Sequence, residues 1–187
     1  MDVTRILELD HREVEALFDK IERAKGKDRT PFIEELAGSL KDHMQLEETI
    51  VYPAMRPVTG EEPVQEGETE HELARKDLAA MLDLAPDEPG FGAALEAVKA
   101  GIAHHVEEEE DEVFPKVRRD GAKVLADMAT PFMAKRLELG MPITADALDA
   151  SSTKAELADE AKQAGIKDAG AMSKGALAEA LADQMAS

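Results

Sequence analysis

The chain contains the same eleven-residue pattern twice, and this repeat limits its fold more than any other feature. The pattern is His-x-x-x-Glu-Glu-x-x-x-Tyr/Phe-Pro, and it occupies residues 43–53 and 105–115 without a gap. A His and a Glu four residues apart lie on one face of an α-helix. The repeat therefore predicts two helices that each present an imidazole beside a carboxylate.

Both His–Glu pairs are in phase with an apolar seam. The first seam consists of Leu36, Leu40, His43, Glu47, Ile50 and Ala54, and the second of Leu95, Val98, Ile102, His105, Glu109 and Val113. Two other seams contain a His, namely Leu7, His11, Val14, Phe18 and Ile21, and His71, Ala74, Leu78 and Met81. Intervals of three and four residues are typical of the buried face of a helix. We therefore expect four imidazoles and two carboxylates in one core.

The residue usage is typical of an all-α protein. Aromatic residues make up 3% of the chain, Trp is absent, and the helix-favouring residues Ala, Leu, Glu, Lys and Met are abundant. The pattern predicts helices over 2–25, 31–56, 67–84, 91–119, 122–139, 153–164 and 173–185, with a loop over 57–67 and local kinks or breaks at Pro53, Pro115 and Pro131. We expect a bundle domain over 1–140, a linker over 141–152 and a small two-helix module over 153–187.

The composition excludes several classes of site. Without cysteine, the chain has neither disulfides nor thiolate metal sites. Its formal net charge of −19 makes nucleic acid an unlikely partner, because the phosphate backbone is also negative. No apolar run approaches the roughly 18 residues of a membrane span, and the N-terminus lacks the apolar segment of a signal peptide. These features favour a cytoplasmic protein without a membrane partner.

Six polar side chains in a core need partners. One unpaired buried polar group costs roughly 1–3 kcal/mol, and a bound cation removes that cost. Four His and two Glu suit a dinuclear site in a bundle core, with the carboxylates bridging the two ions. The set suits iron best, with manganese or zinc as alternatives. A bundle whose His and Glu are hydrogen-bonded without any metal is the structural alternative.

Several neighbours of these six residues have less definite roles. His104 is one residue out of phase with its seam, so we expect it at the surface or behind a ligand. Glu48 and Glu110 each follow a seam Glu and can orient a ligand or handle a proton. We expect Tyr52 and Phe114 to pack near the site, where the Tyr52 hydroxyl can hydrogen-bond a ligand.

A set of short motifs occurs in a fixed order along the chain. They are Asp10-His11, His43-x-x-x-Glu47-Glu48 ending in Tyr52-Pro53, Glu70-His71, and His105-x-x-x-Glu109-Glu110 ending in Phe114-Pro115. In this order and spacing they resemble the hemerythrin-like proteins with the HHE cation-binding domain. The resemblance covers about residues 1–120.

This resemblance implies a fold, a cofactor and a set of ligands. The fold is an up-down-up-down four-helix bundle, here with an extra helix, and the cofactor is a pair of iron ions joined by an oxo or hydroxo bridge. The implied metal ligands are His11, His43, Glu47, His71, His105 and Glu109. Among them, Glu47 and Glu109 would be the bridging carboxylates.

One position departs from the oxygen carriers of that family. The carriers have a second His one turn after the His of their third helix, and Arg75 stands there in this chain. The departure makes reversible oxygen storage a poor expectation. It favours an enzyme that decomposes hydrogen peroxide as a catalase does. The alternative is a sensor or binding protein that responds to oxygen, nitric oxide or iron.

The last residues, 153–187, are similar to the helix-extended-helix modules of Rho N-terminal and SAP-like domains. Many such modules bind nucleic acid, but residues 151–187 carry four Lys and six acids, and they contain no aromatic residue to stack on a base. We therefore expect this module to contact a protein partner or to act as a solubilising appendage. In the sensor alternative, it would transmit the state of the metal site to that partner.

Overall fold

The computed structural model describes residues 1–141 and 143–185 of the chain. Within these residues the chain is all-α, with no strand, as the sequence predicted. Its internal contacts divide it into two compact units. The first unit spans residues 10–121, and the second combines residues 1–9 with the described part of 122–187. No helix of the described residues is both long and apolar enough to cross a membrane.

The long helices of the first unit share one apolar core. They are α1 (Val3–Arg23), α2 (Thr30–Leu46), α4 (Glu61–Leu82) and α5 (Phe91–Glu108), with the short helices α3 (Tyr52–Thr59) and α6 (Phe114–Asp120) following α2 and α5. Each long helix contributes to the core, for example through Phe18, Leu36, Leu78 and Leu95. Residues 24–29 join α1 to α2, and residues 83–90 join α4 to α5. The unit therefore consists of two helical hairpins packed into one bundle.

A π-helical turn follows each His-x-x-x-Glu motif. These turns span Glu47–Val51 and Glu109–Val113, and the proline of each repeat lies in the first turn of the helix that follows. The amide of Tyr52 donates to the carbonyl of Glu47, five residues back, and Phe114 does the same to Glu109. A proline removes a hydrogen bond and crowds the carbonyl four residues before it. The extra residue in each π-helical turn shifts the pattern of backbone hydrogen bonds by one residue at that point.

These turns correct the seams predicted beyond each Glu. The seam positions Ile50, Ala54 and Val113 are only half-buried, whereas Val51, Met55 and Val117 are buried. The reason is that one inserted residue rotates the rest of the helix by about 100°. Kinks or breaks were expected at Pro53, Pro115 and Pro131: a π-helical turn interrupts the α-helix just before each of the first two, whereas α7 continues through Pro131. Both seams are correct up to Glu47 and Glu109.

The loop predicted over 57–67 is wrong. Helix α3 continues to Thr59 and α4 begins at Glu61, so the chain breaks only at Gly60, whose φ is 97°. Pro63 lies in the first turn of α4, where a proline loses no helical hydrogen bond. Gly67 lies inside α4, where it is buried.

The second unit contains α7 (Ala122–Leu139), α8 (Ala145–Ser151), α9 (Lys154–Gln163) and α10 (Lys174–Met185). Leu148, Leu157, Leu177 and Leu181 pack in a common apolar cluster. Thr153 begins α9 with a capping box, in which its hydroxyl accepts from the amide of Glu156 and the Glu156 carboxylate accepts from the amide of Thr153.

The expected linker over 141–152 has more structure than predicted. It contains α8, and Leu148 of that helix is fully buried. The sequence misses α8 because the helix is only seven residues long and carries a single large apolar residue. Contacts also group α7 with the second unit, whereas the sequence placed 122–139 in the bundle domain. The division into domains at 1–140 and 153–187 stays a prediction.

Candidate metal centre

The six residues expected in the core of the bundle come together there. They come from all four long helices and the two π-helical turns: His11 from α1, His43 from α2, His71 from α4, His105 from α5, and Glu47 and Glu109 from the π-helical turns. Each is at most 5% exposed. The apolar seams place them, because each side chain takes a position that a core residue would otherwise occupy.

One half of the centre contains His11, His43, Glu47 and Glu109. The ligand atoms of these four residues lie within 4.8 Å of one another. The Nε2 atoms of His11 and His43 are 3.2 Å apart. Glu47 Oε1 lies 3.1 Å from His43 Nε2, and Glu109 Oε2 lies 3.4 Å from His11 Nε2. Four potential donors therefore surround one point.

The other half contains Glu47, His71 and His105, whose ligand atoms also lie within 4.8 Å of one another. The Nε2 atoms of the two His are again 3.2 Å apart. Glu47 Oε2 is 3.2 Å from His71 Nε2, and Glu109 Oε2 is 3.7 Å from His105 Nε2. Because Glu47 contacts one half with Oε1 and the other with Oε2, its carboxylate spans both halves.

A carboxylate faces the outer nitrogen of every imidazole. The Nδ1 atoms of His11, His71 and His105 donate to Glu110, Glu48 and Glu70 at 2.8, 2.9 and 2.9 Å, and Asp10 Oδ2 lies 3.6 Å from His43 Nδ1. A proton held on Nδ1 leaves the lone pair of Nε2 directed into the site. At His11, His71 and His105 the hydrogen-bonded carboxylates therefore select the tautomer that can bind a cation, whereas Asp10 is only an ion-pair neighbour of His43.

Two arginines hold two of these outer carboxylates. Arg75 donates to Glu48 Oε1 at 2.7 Å, and Arg12 donates to Glu110 Oε1. Arg75 is the residue that departs from the oxygen carriers, and its side chain is 43% exposed. It therefore acts on the centre through Glu48 and supplies no ligand atom.

The charges of the centre shift the pKa values of its members. Burial alone lowers the pKa of His105, but Glu109, Glu70 and Glu47 raise it to about 9. Burial opposes the same shift at His43, where Glu47 and Asp10 hold the pKa well above its ordinary value. Burial also raises the pKa of Glu47, but His43 and His71 outweigh it and hold that pKa well below the usual range. Positive charge is therefore strongly favoured in the centre.

The donor set fits a pair of cations. Both oxygens of Glu47 and Oε2 of Glu109 are buried without a hydrogen-bond partner, which is costly for a carboxylate. Two Nε2 atoms 3.2 Å apart match two ligands at right angles on one ion, since bonds of about 2.1 Å span roughly 3 Å in that arrangement. A cation in each half would satisfy these atoms.

Tyr52 borders the second half of the centre. Its hydroxyl donates to Glu109 Oε1 at 3.1 Å and lies 3.3 Å from His71 Nε2. Burial and the charges of Glu109 and Glu47 raise its pKa well above the ordinary value, so the hydroxyl keeps its proton. Gly67 makes room for it, because a Cβ at that position would lie 2.7 Å from the Tyr52 oxygen. In the other half, Phe114 stacks on His11 with ring centroids 6.1 Å apart.

A cavity of about 200 Å³ reaches the centre from the surface of the bundle. Its buried wall includes Tyr52, His105 and Glu109, and its exposed wall includes Glu66 and Glu112. A small molecule can therefore reach the second half of the centre beside the Tyr52 hydroxyl.

Sequence reasoning missed the roles of Asp10 and Glu70, which support His43 and His105. A signal for them existed, since each residue directly precedes a seam His, just as Glu48 and Glu110 directly follow a seam Glu. The sequence did not show, however, that each of these carboxylates contacts a His of another helix. His104 is 63% exposed, as expected for a residue outside the seam.

Comparison with known proteins gives the family. The model of the hemerythrin HHE cation-binding domain matches residues 2–117. An uncharacterised hemerythrin-like protein of Schizosaccharomyces pombe is 27% identical over 110 residues, which are 57% of this chain and 54% of that protein. A DNA nickase of Nostoc sp. is 23% identical over 141 residues, which are 74% of this chain and 40% of that protein.

The chain thus spans about half or less of the length of these curated relatives. No solved structure matches it. The family model covers all six converging residues and all four carboxylates that support the imidazoles. The chain therefore belongs to the hemerythrin HHE cation-binding domain family, and its bundle contains the His and Glu groups that can hold a cation.

Proposed function

We propose that this protein holds two iron ions and decomposes hydrogen peroxide. The proposed ligands are His11, His43, Glu47, His71, His105 and Glu109. The observation that carries the proposal is the placement of Glu47, whose two oxygens lie 3.1 and 3.2 Å from His nitrogens in opposite halves of the centre. A carboxylate in this position is suited to bridging two ions.

The choice of metal follows from the donors. Imidazole and carboxylate groups suit iron, manganese and zinc, and the chain offers no thiolate. A ferritin-like pair of metal ions is also built from His and Glu that project into a bundle core. We therefore favour iron, with a shared oxo or hydroxo ligand as the family resemblance implies.

The proposed reaction converts two molecules of hydrogen peroxide into one of dioxygen and two of water. A bound iron pair would supply the two-electron redox couple. The residues of the chain perform the rest: the outer carboxylates fix the imidazoles, and the cavity admits a small molecule beside Tyr52. Since Arg75 supplies no ligand, six protein ligands remain for two ions, which leaves coordination positions for a substrate.

Metal analysis followed by an oxygen-electrode assay tests this function. We expect about two irons per chain, oxygen release on addition of hydrogen peroxide, and loss of both in His105→Ala. The adjacent exposed residue supplies the matched control, because His104→Ala should retain both irons and the activity. Iron-loaded protein that releases no more oxygen than His105→Ala would refute peroxide decomposition, and zinc in place of iron would refute the redox chemistry.

The second unit favours one alternative, a sensor of oxygen, nitric oxide or iron. Its helices α8, α9 and α10 pack around their own apolar cluster, which suits a module that contacts a protein partner. Capture experiments with the full chain, with and without iron, test this function. A partner retained in only one metal state would support it, and identical capture in both states would contradict it.

The similarity to the DNA nickase does not favour DNA cleavage by this chain. The match covers 40% of that protein, and this chain carries a net charge of −19. A negative surface repels the DNA backbone, so nucleic acid remains a disfavoured partner.

A further inference from the structure

A second group of possible metal ligands lies outside the buried centre. It consists of Glu70 on α4 and of His104 and Glu108 on α5. His104 Nε2 lies 3.5 Å from Glu70 Oε1 and 3.4 Å from Glu108 Oε1, and the ligand atoms of the three residues lie within 4.8 Å of one another. The group combines one imidazole with two carboxylates and is open to solvent on the side of His104, which is 63% exposed.

This group shares its two carboxylates with the wall of the cavity. Glu70 and Glu108 line the same space of about 200 Å³ that reaches His105 and Glu109. The exposed Glu66 and Glu112 add further negative charge to that wall. Lys116 is the lysine in the lining, and its ammonium donates to the carbonyl of Thr59. The wall of the cavity that connects the exposed group with the buried centre thus carries five glutamates and one lysine.

We propose that Glu70, His104 and Glu108 form a peripheral site that binds a divalent cation and delivers it through the cavity to the buried centre. The inference rests on the proposed function, since it assumes that the buried centre takes up ions. It assigns a role to His104, which that function leaves unused.

The physical basis is the difference in burial between the two sites. An ion at the exposed group retains part of its water shell and binds weakly, so it can leave again. An ion in the buried centre meets up to four protein ligands, among them Glu109 Oε2, which has no hydrogen-bond partner. Carboxylates along a cleft also concentrate cations and raise their association rate. The ion therefore moves inward, because the buried centre offers it more protein ligands than the peripheral group does.

Glu70 links the two sites directly. Its Oε1 faces His104 at 3.5 Å, while its Oε2 accepts from His105 Nδ1 at 2.9 Å. One carboxylate thus belongs both to the peripheral group and to the support of a proposed ligand. Loss of Glu70 would damage the buried centre as well, so the informative variants keep this residue.

Zinc binding tests the existence of the site without redox chemistry. We expect equilibrium dialysis of the metal-free full chain to show two tightly bound Zn²⁺ and a third that binds at least about tenfold more weakly. His104→Ala should lose the third ion and retain the two tight ones. Glu108→Gln should weaken the third ion, while Glu72→Gln, an exposed charge removal on α4, should leave it unchanged.

The rate of iron uptake tests the delivery role. Metal-free chain is mixed with Fe²⁺ under anaerobic conditions, free ions are removed with a chelator at set times, and retained iron is counted. We expect His104→Ala and Glu108→Gln to lower the initial rate by about tenfold, the lower end of the effect of electrostatic steering. Both variants should reach the same final iron content as the unaltered chain and the Glu72→Gln control.

The outcomes separate this inference from the proposed function. Two tight ions with no third ion, or with uptake rates equal in all variants, would overturn the inference and leave the buried centre intact. Loss of the third ion without slower uptake would overturn the delivery role. A chain without tight ions would instead refute the proposed function.

Discussion

Replacing Gly67 with alanine should destabilise the bundle, although alanine is the better helix former. Gly67 lies inside α4, where glycine costs about 0.8–1.0 kcal/mol relative to alanine. An added Cβ would lie 2.7 Å from the Tyr52 oxygen and 3.0 Å from its Cζ, closer than packed atoms approach. The ring must move away, and its hydrogen bond to Glu109 is then lost.

The size of the effect follows from three contributions. Helix propensity gains about 1 kcal/mol, the lost hydrogen bond to a charged group costs about 1.5–3 kcal/mol, and overpacking costs about 1–3 kcal/mol. Gly67→Ala should therefore lower the free energy of unfolding by roughly 1.5–5 kcal/mol. Gly101→Ala in α5 is the matched control, because nothing lies within 4 Å of its added Cβ. It should raise the same free energy by about 1 kcal/mol.

Urea unfolding followed by circular dichroism measures both variants. A third variant that combines Gly67→Ala with Tyr52→Phe removes the oxygen at the closest contact, so it should be at least as stable as Gly67→Ala alone. If Gly67→Ala stabilises the chain as much as Gly101→Ala does, the steric argument is wrong and Tyr52 does not depend on the glycine.

Three further changes test other parts of the structure. In metal-free protein, the His105 pKa is raised from 6.5 to about 9. Protonation of His105 therefore stabilises the fold below pH 6.5, and this stabilisation is lost as the pH rises to about 9, so the free energy of unfolding measured with urea should fall by about 3 kcal/mol over that range. A free energy of unfolding that does not change with pH would contradict the shift. Glu48→Gln should weaken iron binding by about 10–100-fold in chelator competition, because the carboxylate that holds His71 loses its charge. An unchanged affinity for iron would refute the role of Glu48 in orienting His71. Thr153→Ala should lower the stability of the second unit by about 1 kcal/mol through loss of the α9 cap, whereas Thr153→Ser should keep the cap and the stability. Equal urea midpoints for the two variants would show that the cap does not stabilise the unit.

The sequence predicted the helical class and the convergence of six residues because both depend on the phase of apolar positions along a helix. The spacing of apolar residues along one helix is a local property, and the buried positions predicted from it are correct as far as Glu47 and Glu109. Beyond these residues a single inserted residue in each π-helical turn changed the seam, and the spacing of apolar residues does not reveal such an insertion. Tyr52 and Phe114 therefore lie deeper than the continued seam predicted.

Features that depend on contacts between helices were harder to predict. Asp10 and Glu70 each precede a seam His in the sequence, but their roles follow from the distance to an imidazole on a neighbouring helix. Gly67 was interpreted as part of a loop because glycine commonly ends helices. Its reason for being glycine is the Tyr52 ring, which belongs to a different helix.

The four outer carboxylates divide equally between the two helical hairpins, and each hairpin keeps one for itself and lends one to the other. Asp10 and Glu70 each support a His of their own hairpin, whereas Glu48 supports His71 and Glu110 supports His11 across to the other hairpin. Neither hairpin alone supplies a carboxylate for each of its own imidazoles, because His11 and His71 each depend on a carboxylate of the other hairpin. A shorter chain with only one such hairpin would have to pair with a second copy of itself to build the same centre, so the internal repeat of this chain performs within one molecule what a symmetric dimer would otherwise do.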